Sequence, residues 1–302
     1  MDPPIAIVTG ANSGIGLAVT VALARAGHVV HAGMRDAAAP DELLAAVASA
    51  PLPAAAAVHV LRMDVGSDAS VASAVASVLA ATGDRVDVAV ACAGYGVIMN
   101  VEDATVEDVS SCMNVNFFGA LRVVKAVVPA MRRRGAGRVI GVSSVAGLIG
   151  LPFYGPYAAS KFAMEGFWEC CAAEYKALGV HFIVVEPGPV ATNVAARIQM
   201  KRSPPGDLAP ICAAFEAKTV RSMMESMQSA DECAAFFLRA VTDPTPALRY
   251  MTHEGSAELL RTKYVDLDGA GVAAATAAMS APMSEDGGEK KKEEEGGEKH
   301  SE

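Results

Sequence analysis

At 302 residues, 52% of them apolar, the chain can fill the core of one large α/β domain. It holds no run of 18 or more uncharged apolar residues, so no membrane-spanning segment is expected. The net charge is −9, and the stretch from Glu285 to Glu302 carries eight acidic residues and four lysines, leaving −5 for the rest, which argues against a nucleic-acid partner.

Six cysteines, Cys92, Cys112, Cys170, Cys171, Cys212 and Cys233, form no CxxC pair, and the histidines show no metal-ligand spacing. Reduced thiols, a cytoplasmic location and no metal are the expectation. The first apolar run, Ile5 to Val8, is too short for the apolar stretch of a signal peptide.

In chain order, strands are predicted at Ile5–Val8, Val29–Gly33, Val58–Met63, Val86–Ala91, Arg138–Ser143, Val180–Glu186 and Ala247–Met251. Most are continuous apolar runs, as strands buried on both faces should be. Helices are predicted between them, notably over Ile15–Ala26, Val71–Ala81, Val106–Arg134 and Tyr157–Leu178. The alternation describes a doubly wound parallel sheet of about seven strands, flanked by helices, with ligands at the carboxyl ends of the strands. Thr192 to Ser229 lacks a clear strand, contains the loop-like Lys201 to Gly206, and is rich in methionine (Met200, Met223, Met224, Met227). Residues 280–302, rich in Gly, Glu and Lys, are expected to be a disordered tail on a catalytic domain of residues 1–279.

The first strand runs into Gly10-Ala-Asn12-Ser13-Gly14-Ile15-Gly16. Gly10 permits a sharp turn, Gly14 lets backbone amides approach a pyrophosphate, and Gly16 lets the helix pack against the strand, with its N-terminus facing the anion. Three residues separate Gly10 from Gly14, a longer spacing than in most dinucleotide-binding turns. Downstream, Tyr157 and Lys161 stand four apart on a helix and share a face. An ammonium near a phenol lowers its pKa from about 10 towards neutrality, making Tyr157 a usable acid or base. Ser144, at the end of the preceding strand, can hold a substrate oxygen beside it.

Together these residues resemble the short-chain dehydrogenase/reductase family, over nearly the whole chain to about Gly269. The resemblance rests on Thr9-Gly10, Gly14-Ile15-Gly16, Asp64, Asn116, Ser144, Tyr157 with Lys161, and Pro187-Gly188 with Thr192. It implies a single Rossmann-type domain in which Tyr157 exchanges the proton and Ser144 orients the substrate oxygen. Lys161 would lower the tyrosine pKa and hold the ribose, and Asn116 would anchor a relay water. Asp64 and Val65 would border the adenine, and Gly94, Pro187, Gly188, Val190 and Thr192 would complete the cofactor site. A homodimer or homotetramer is implied as well. One departure stands out: the family's Asn-Asn-Ala-Gly reads Ala91-Cys92-Ala93-Gly94 here, which predicts an effect on stability rather than on chemistry.

The second strand ends Met34-Arg35-Asp36, with Met34 where an acidic residue usually binds the adenosine ribose. Arg35 suits a 2′-phosphate, so NADP(H) is preferred; the alternative leaves Arg35 in solvent, gives the ribose to Asp36, and favours NAD(H). Gly147–Phe153, Ala159–Gly166, Glu186–Val190 and Leu248–Tyr250 resemble the 17β-hydroxysteroid and retinol dehydrogenase branch. The implied substrate is an apolar alcohol or carbonyl, steroid-, retinoid- or lipid-like, with residues 192–229 as its lid. Methionines there adapt to irregular apolar ligands, or fill a helix core. Arg132 to Arg134 read as a helix C-terminal cap. Two competing readings are a catalytically silent nucleotide-binding protein and an isomerase or dehydratase on a similar sheet.

Overall fold

The structure is a computed structural model describing residues 2–192, 199–200 and 206–265, together with Ala274 and Ala278. The expected tail, residues 280–302, lies outside the described residues, as do several lid positions between 193 and 205.

Seven parallel strands form the central sheet: β1 (Ile5–Thr9), β2 (Val29–Met34), β3 (Ala57–Arg62), β4 (Val88–Ala91), β5 (Gly137–Val142), β6 (Val180–Glu186) and β7 (Arg249–Met251). Their spatial order is β7-β6-β5-β4-β1-β2-β3. The chain winds outward from β1 to β3, then returns to the other side of β1, so the winding reverses between β1 and β4. That reversal opens a crevice at the strand carboxyl ends. Strands β1 and β4 are buried along their whole length, which explains their uninterrupted apolar sequence.

Ten α-helices punctuate the described residues: α1 (Gly14–Arg25), α2 (Asp41–Ala48), α3 (Asp68–Ala81), α4 (Val106–Met113), α5 (Gly119–Arg134), α6 (Gly155–Tyr175), α7 (Leu208–Phe215), α8 (Arg221–Glu225), α9 (Ala230–Thr242) and α10 (Gly255–Val265). One core lies between the sheet and α3, α5 and α6, the other between the sheet and α1, α2 and α9. Trp168 of α6 is fully buried over Gly141, where a Cβ would stand 2.7 Å from the indole. Only glycine leaves that room.

Five helices among the described residues, α2, α7, α8, α9 and α10, lie outside the segments singled out from the sequence. The α2 helix is short and buries Leu43 alone. The α9 helix is announced by a capping box, Ser229 with Glu232, that lay at the end of the supposed lid. The predicted helix over Val106–Arg134 is a continuous helical run, but Asn114–Phe118 within it is wound as a π-helix. The run is long and apolar enough to cross a membrane. Its apolar side chains Val123, Val124, Val127, Val128 and Met131 are instead buried against the sheet. Arg133 and Arg134 do more than cap this run: they pair with Asp84 and Asp87 at 2.7 and 3.1 Å.

Candidate active site

The candidate residues converge at the carboxyl ends of β1, β4, β5 and β6. Gly10 turns the chain with φ +69°, and a Cβ there would stand 2.9 Å from Ala93 Cα. A Cβ on Gly16 would stand 2.3 Å from the Gly10 oxygen. Gly14 sits under Thr192, whose Cβ and Cγ2 would lie 3.4 Å from a side chain placed there. The turn thus packs as its sequence requires. The first turn of α1 carries no acidic residue, and Ser13 at its N-cap makes no side-chain cap. Its amides fit an anionic group.

The Cys92 departure is absorbed by Thr9. Its hydroxyl accepts hydrogen bonds from the amides of Cys92 and Ala93, both at 3.0 Å. The loop after β4 is held from β1 without either asparagine. At the far end of the crevice, Asp64 Oδ1 accepts from the Gly66 amide at 2.9 Å and shapes the turn around buried Val65. Arg122 of α5 donates to Val65 O at 3.0 Å and to Asn114 Oδ1 at 2.9 Å. One guanidinium therefore ties this turn to the π-helical segment. Arg35 is exposed beyond β2, next to buried Met34, while Asp36 Oδ1 accepts from the Ala38 amide at 3.1 Å.

On α6, Lys161 is 4% exposed, and its ammonium lies 5.6 Å from the centre of the Tyr157 ring. Lys161 Nζ donates to Val142 O at 2.7 Å. The Ser144 hydroxyl accepts from the Ala146 amide at 3.2 Å and hydrogen-bonds the Tyr157 phenol. Asn116, fully buried, donates from Nδ2 to Tyr95 O and to Ser160 Oγ, each at 3.0 Å, and accepts from the Tyr95 amide at 3.0 Å. Ser160 in turn donates to Tyr157 O at 2.7 Å. The π-helical winding carries Asn116 to that position.

The expected lowering of the tyrosine pKa is not what this geometry produces. Burial pushes the Tyr157 phenol up to about 12, opposed by the Ser144 hydrogen bond. Burial pulls the Lys161 ammonium down to about 8, opposed by nearby Cys92, Cys112 and Glu165. Desolvation penalises both charged forms, and at 5.6 Å across the ring face it outweighs the attraction the sequence suggested.

Residues 4–203 match the family model described as short chain dehydrogenase. The chain belongs to that family. It is 36% identical over 277 residues to 17-beta-hydroxysteroid dehydrogenase type 1 of Homo sapiens, covering 89% of this chain and 83% of that protein. It is 34% identical to Retinol dehydrogenase 8 of Bos taurus, over 88% and 87% of the two chains. Among solved structures, an alcohol dehydrogenase from the archaeon Thermococcus sibiricus complexed with 5-hydroxy-NADP superposes with a TM-score of 0.65. It is 25% identical, with 82% of this chain and 95% of that one covered. As a short chain dehydrogenase, the chain is an oxidoreductase acting on CH–OH groups with a nicotinamide cofactor.

Several residues around this dehydrogenase site carried no sequence signal of their own. Thr252 Oγ1 accepts from the Gly188 amide at 3.3 Å, and His253 packs so closely that a Cβ on Gly188 would stand 2.4 Å from it. The Pro187 carbonyl accepts from Val145, directly after Ser144, at 3.2 Å. Val190–Ala191 forms a two-residue parallel bridge with Gln228–Ser229, which anchors the end of the expected lid. Beside Tyr157 stands an aromatic stack: Tyr154 lies 6.2 Å from Tyr157 and 6.0 Å from Phe215, and Phe215 lies 5.7 Å from Phe153. Leu148, Ile149, Leu151 and Leu260 bury beneath it, with Met223 packed against them. Met224, by contrast, is exposed, so only one of these two adjacent lid methionines faces this apolar wall.

Proposed function

We propose that this chain is an NADP(H)-dependent dehydrogenase interconverting an alcohol and a carbonyl on an apolar substrate. The observation that carries the reading is the convergence of Ser144, Tyr157 and Lys161 beside the glycine turn, next to a wall of aliphatic and aromatic side chains. When bound, the nicotinamide supplies or accepts the hydride at the substrate carbon. The chain's own residues do the rest. Ser144 holds the substrate oxygen, and Tyr157 gives its phenolic proton to that oxygen during reduction or takes it during oxidation. Lys161 holds the ribose and carries positive charge near the phenol, and Asn116 anchors the proton relay at the π-helical segment. The turn from Gly10 to Gly16, with Asn12, Ser13 and Ile15, takes the pyrophosphate; Asp64 and Val65 border the adenine, Pro187, Gly188, Val190 and Thr192 border the nicotinamide, and Gly94, close to Lys161 and Asn116, completes the cofactor site.

Arg35 is assigned the 2′-phosphate. Its exposure beyond β2 and the commitment of the Asp36 carboxylate to the Ala38 amide favour this over a ribose bond from Asp36. Steroid- and retinoid-like substrates are proposed from the apolar wall and from the names of the two relatives. Exposed Phe118 and Phe162 support the homodimer or homotetramer, and six free cysteines suit a cytoplasmic setting.

The test follows absorbance of NADPH and NADH with a panel of steroid, retinoid and aliphatic carbonyls. Faster oxidation of NADPH than NADH, on the bulky apolar carbonyls, is the expected result. Tight NADPH binding without turnover on any of them would favour the silent nucleotide-binding protein, and no binding of either cofactor would overturn the reading.

A further inference from the structure

Tyr157, Lys161, Glu165 and Glu169 recur every fourth residue on α6 and so form one stripe along the helix. The first two belong to the candidate site. The other two lead into a buried ionic cluster behind it. Glu165 is 5% exposed and Glu186, the last residue of β6, 1%. Arg249, the first residue of β7, bridges them: NH2 lies 3.1 Å from Glu165 Oε2 and 2.6 Å from Glu169 Oε1. Its Nε lies 2.9 Å from Glu186 Oε1, an ion-pair distance whose orientation falls short of a hydrogen bond. The Ser143 hydroxyl is within reach of the Glu165 carboxyl and acts on it as a hydrogen-bond donor, yet neither Ser143 Oγ nor Glu165 Oε1 has a well-oriented partner.

The cluster adjoins the helix that carries Tyr157 and Lys161 and the strand ends that lead to Ser144 and to Pro187–Gly188. Ser143 precedes Ser144 and follows Val142, whose carbonyl holds the Lys161 ammonium. Glu186 precedes Pro187 and Gly188. Buried charges persist only when paired, and an ion cluster with no stabilising advantage over apolar packing is kept where geometry or charge matters. We propose that Glu165, held in place by Arg249, is a positioning residue for the Tyr157–Lys161 pair: its carboxylate supplies negative charge behind the buried Lys161 ammonium and fixes the strand end bearing Ser144. This rests on the reading of Tyr157 and Lys161 given above, and it adds a residue to that site.

The groups facing this pair are few enough to name. Around Lys161 stand Tyr157 and Glu165 from α6, Cys92 after β4, Cys112 from α4, and Asn116. Around Glu165 stand Arg249 from β7, Glu186 from β6, Glu169 and Lys161 from α6, Ser143 after β5, and Tyr264 from α10. Removing the negative charge of Glu165 therefore lowers the pH at which Lys161 loses its proton, and removing the positive charge of Arg249 raises it.

The experiment titrates the protein labelled with 13C at lysine Cε, with the Lys161 signal assigned by its loss in Lys161→Met. The wild-type Lys161 is expected to titrate near pH 8. Glu165→Gln should move that midpoint down by about half a unit to one unit. Glu165→Asp should restore most of the shift, Arg249→Gln should move it upward, and half-exposed Glu169→Gln should leave it nearly still. The alkaline limb of NADPH-dependent carbonyl reduction should follow, costing Glu165→Gln about three- to tenfold in rate one unit above the wild-type limb. A variant that is merely damaged loses rate without moving either midpoint. A Lys161 midpoint in Glu165→Gln within about 0.2 unit of wild type overturns the assignment. Should Glu165→Gln not fold, Arg249→Gln and Glu165→Asp carry the test, and a Lys161 midpoint unmoved in both is equally fatal. Because the titration needs no turnover, an inactive wild type overturns the reductase reading while leaving the role of Glu165 decided by the shift.

Discussion

The two halves of this short chain dehydrogenase solve their tasks with different materials. From β1 to the loop after β4, the site rests mainly on backbone: a glycine turn at φ +69°, a helix N-terminus free of acid, and a loop whose amides are held by the Thr9 hydroxyl. From α6 onward it is made of side chains brought together over long separations, such as Tyr154 on Phe215 and Arg249 on Glu165. A backbone site depends on where a side chain is missing and tolerates change nearby. A side-chain site depends on what is present and tunes itself by substitution. The first should fix the cofactor for the family, and the second should set the substrate.

The harshest way to break the backbone half is Gly16→Ala, whose Cβ would stand 2.3 Å from the Gly10 oxygen. NADPH affinity measured by fluorescence should fall at least about a hundredfold, with about 1–3 kcal/mol lost from stability. Phe215→Leu probes the other half. It should raise KM for bulky apolar carbonyls about three- to tenfold while leaving NADPH affinity within about twofold, because Phe215 packs on Tyr154 and Phe153 rather than at the turn. If both constants move together, the halves are not separable. Arg35→Ser sharpens the cofactor assignment: NADPH affinity should drop about tenfold and NADH affinity should not, as measured by competitive binding.

The smallest effect concerns stability alone. Burial and the neighbouring Glu165 push the Glu186 carboxyl up to about 7, against the pull of Arg249. A carboxyl with a raised folded pKa lends stability below its unfolded pKa, near 4.5, and that stability is lost as pH rises through 7. Glu186→Gln has nothing to lose in that window. Its melting temperature relative to wild type should therefore rise by about 5 °C between pH 5 and pH 8, measured calorimetrically. An unchanged gap would mean that Arg249 already neutralises Glu186.

The same division explains what the sequence allowed to be read. The glycine turn and the Tyr157–Lys161 pair were legible because their chemistry is written within a few residues, and the strands because burial on both faces leaves an apolar run. Ser160 lies inside the Tyr157–Lys161 string, yet its bond to Asn116 spans 44 residues and left no local trace. The π-helical winding at Asn116 leaves no signature of its own: the Asn, Val and Phe residues of that segment are weak helix formers, and nothing in that weakness separates π from α winding. Arg249 reads as one more strand residue until the fold sets it against three carboxylates. The tyrosine pKa went the wrong way on sequence because spacing shows which charges are near and says nothing of how dry the site is.

The central claim is that Tyr157 moves the proton in a site otherwise built to bind NADP(H). The most direct measurement compares wild type with Tyr157→Phe under saturating NADPH and an active apolar carbonyl, following NADPH absorbance and, separately, NADPH affinity. The account predicts a rate lower by about 10²- to 10⁴-fold in the variant, with affinity within about threefold of wild type. A Tyr157→Phe variant that reduces the carbonyl as fast as wild type would contradict it.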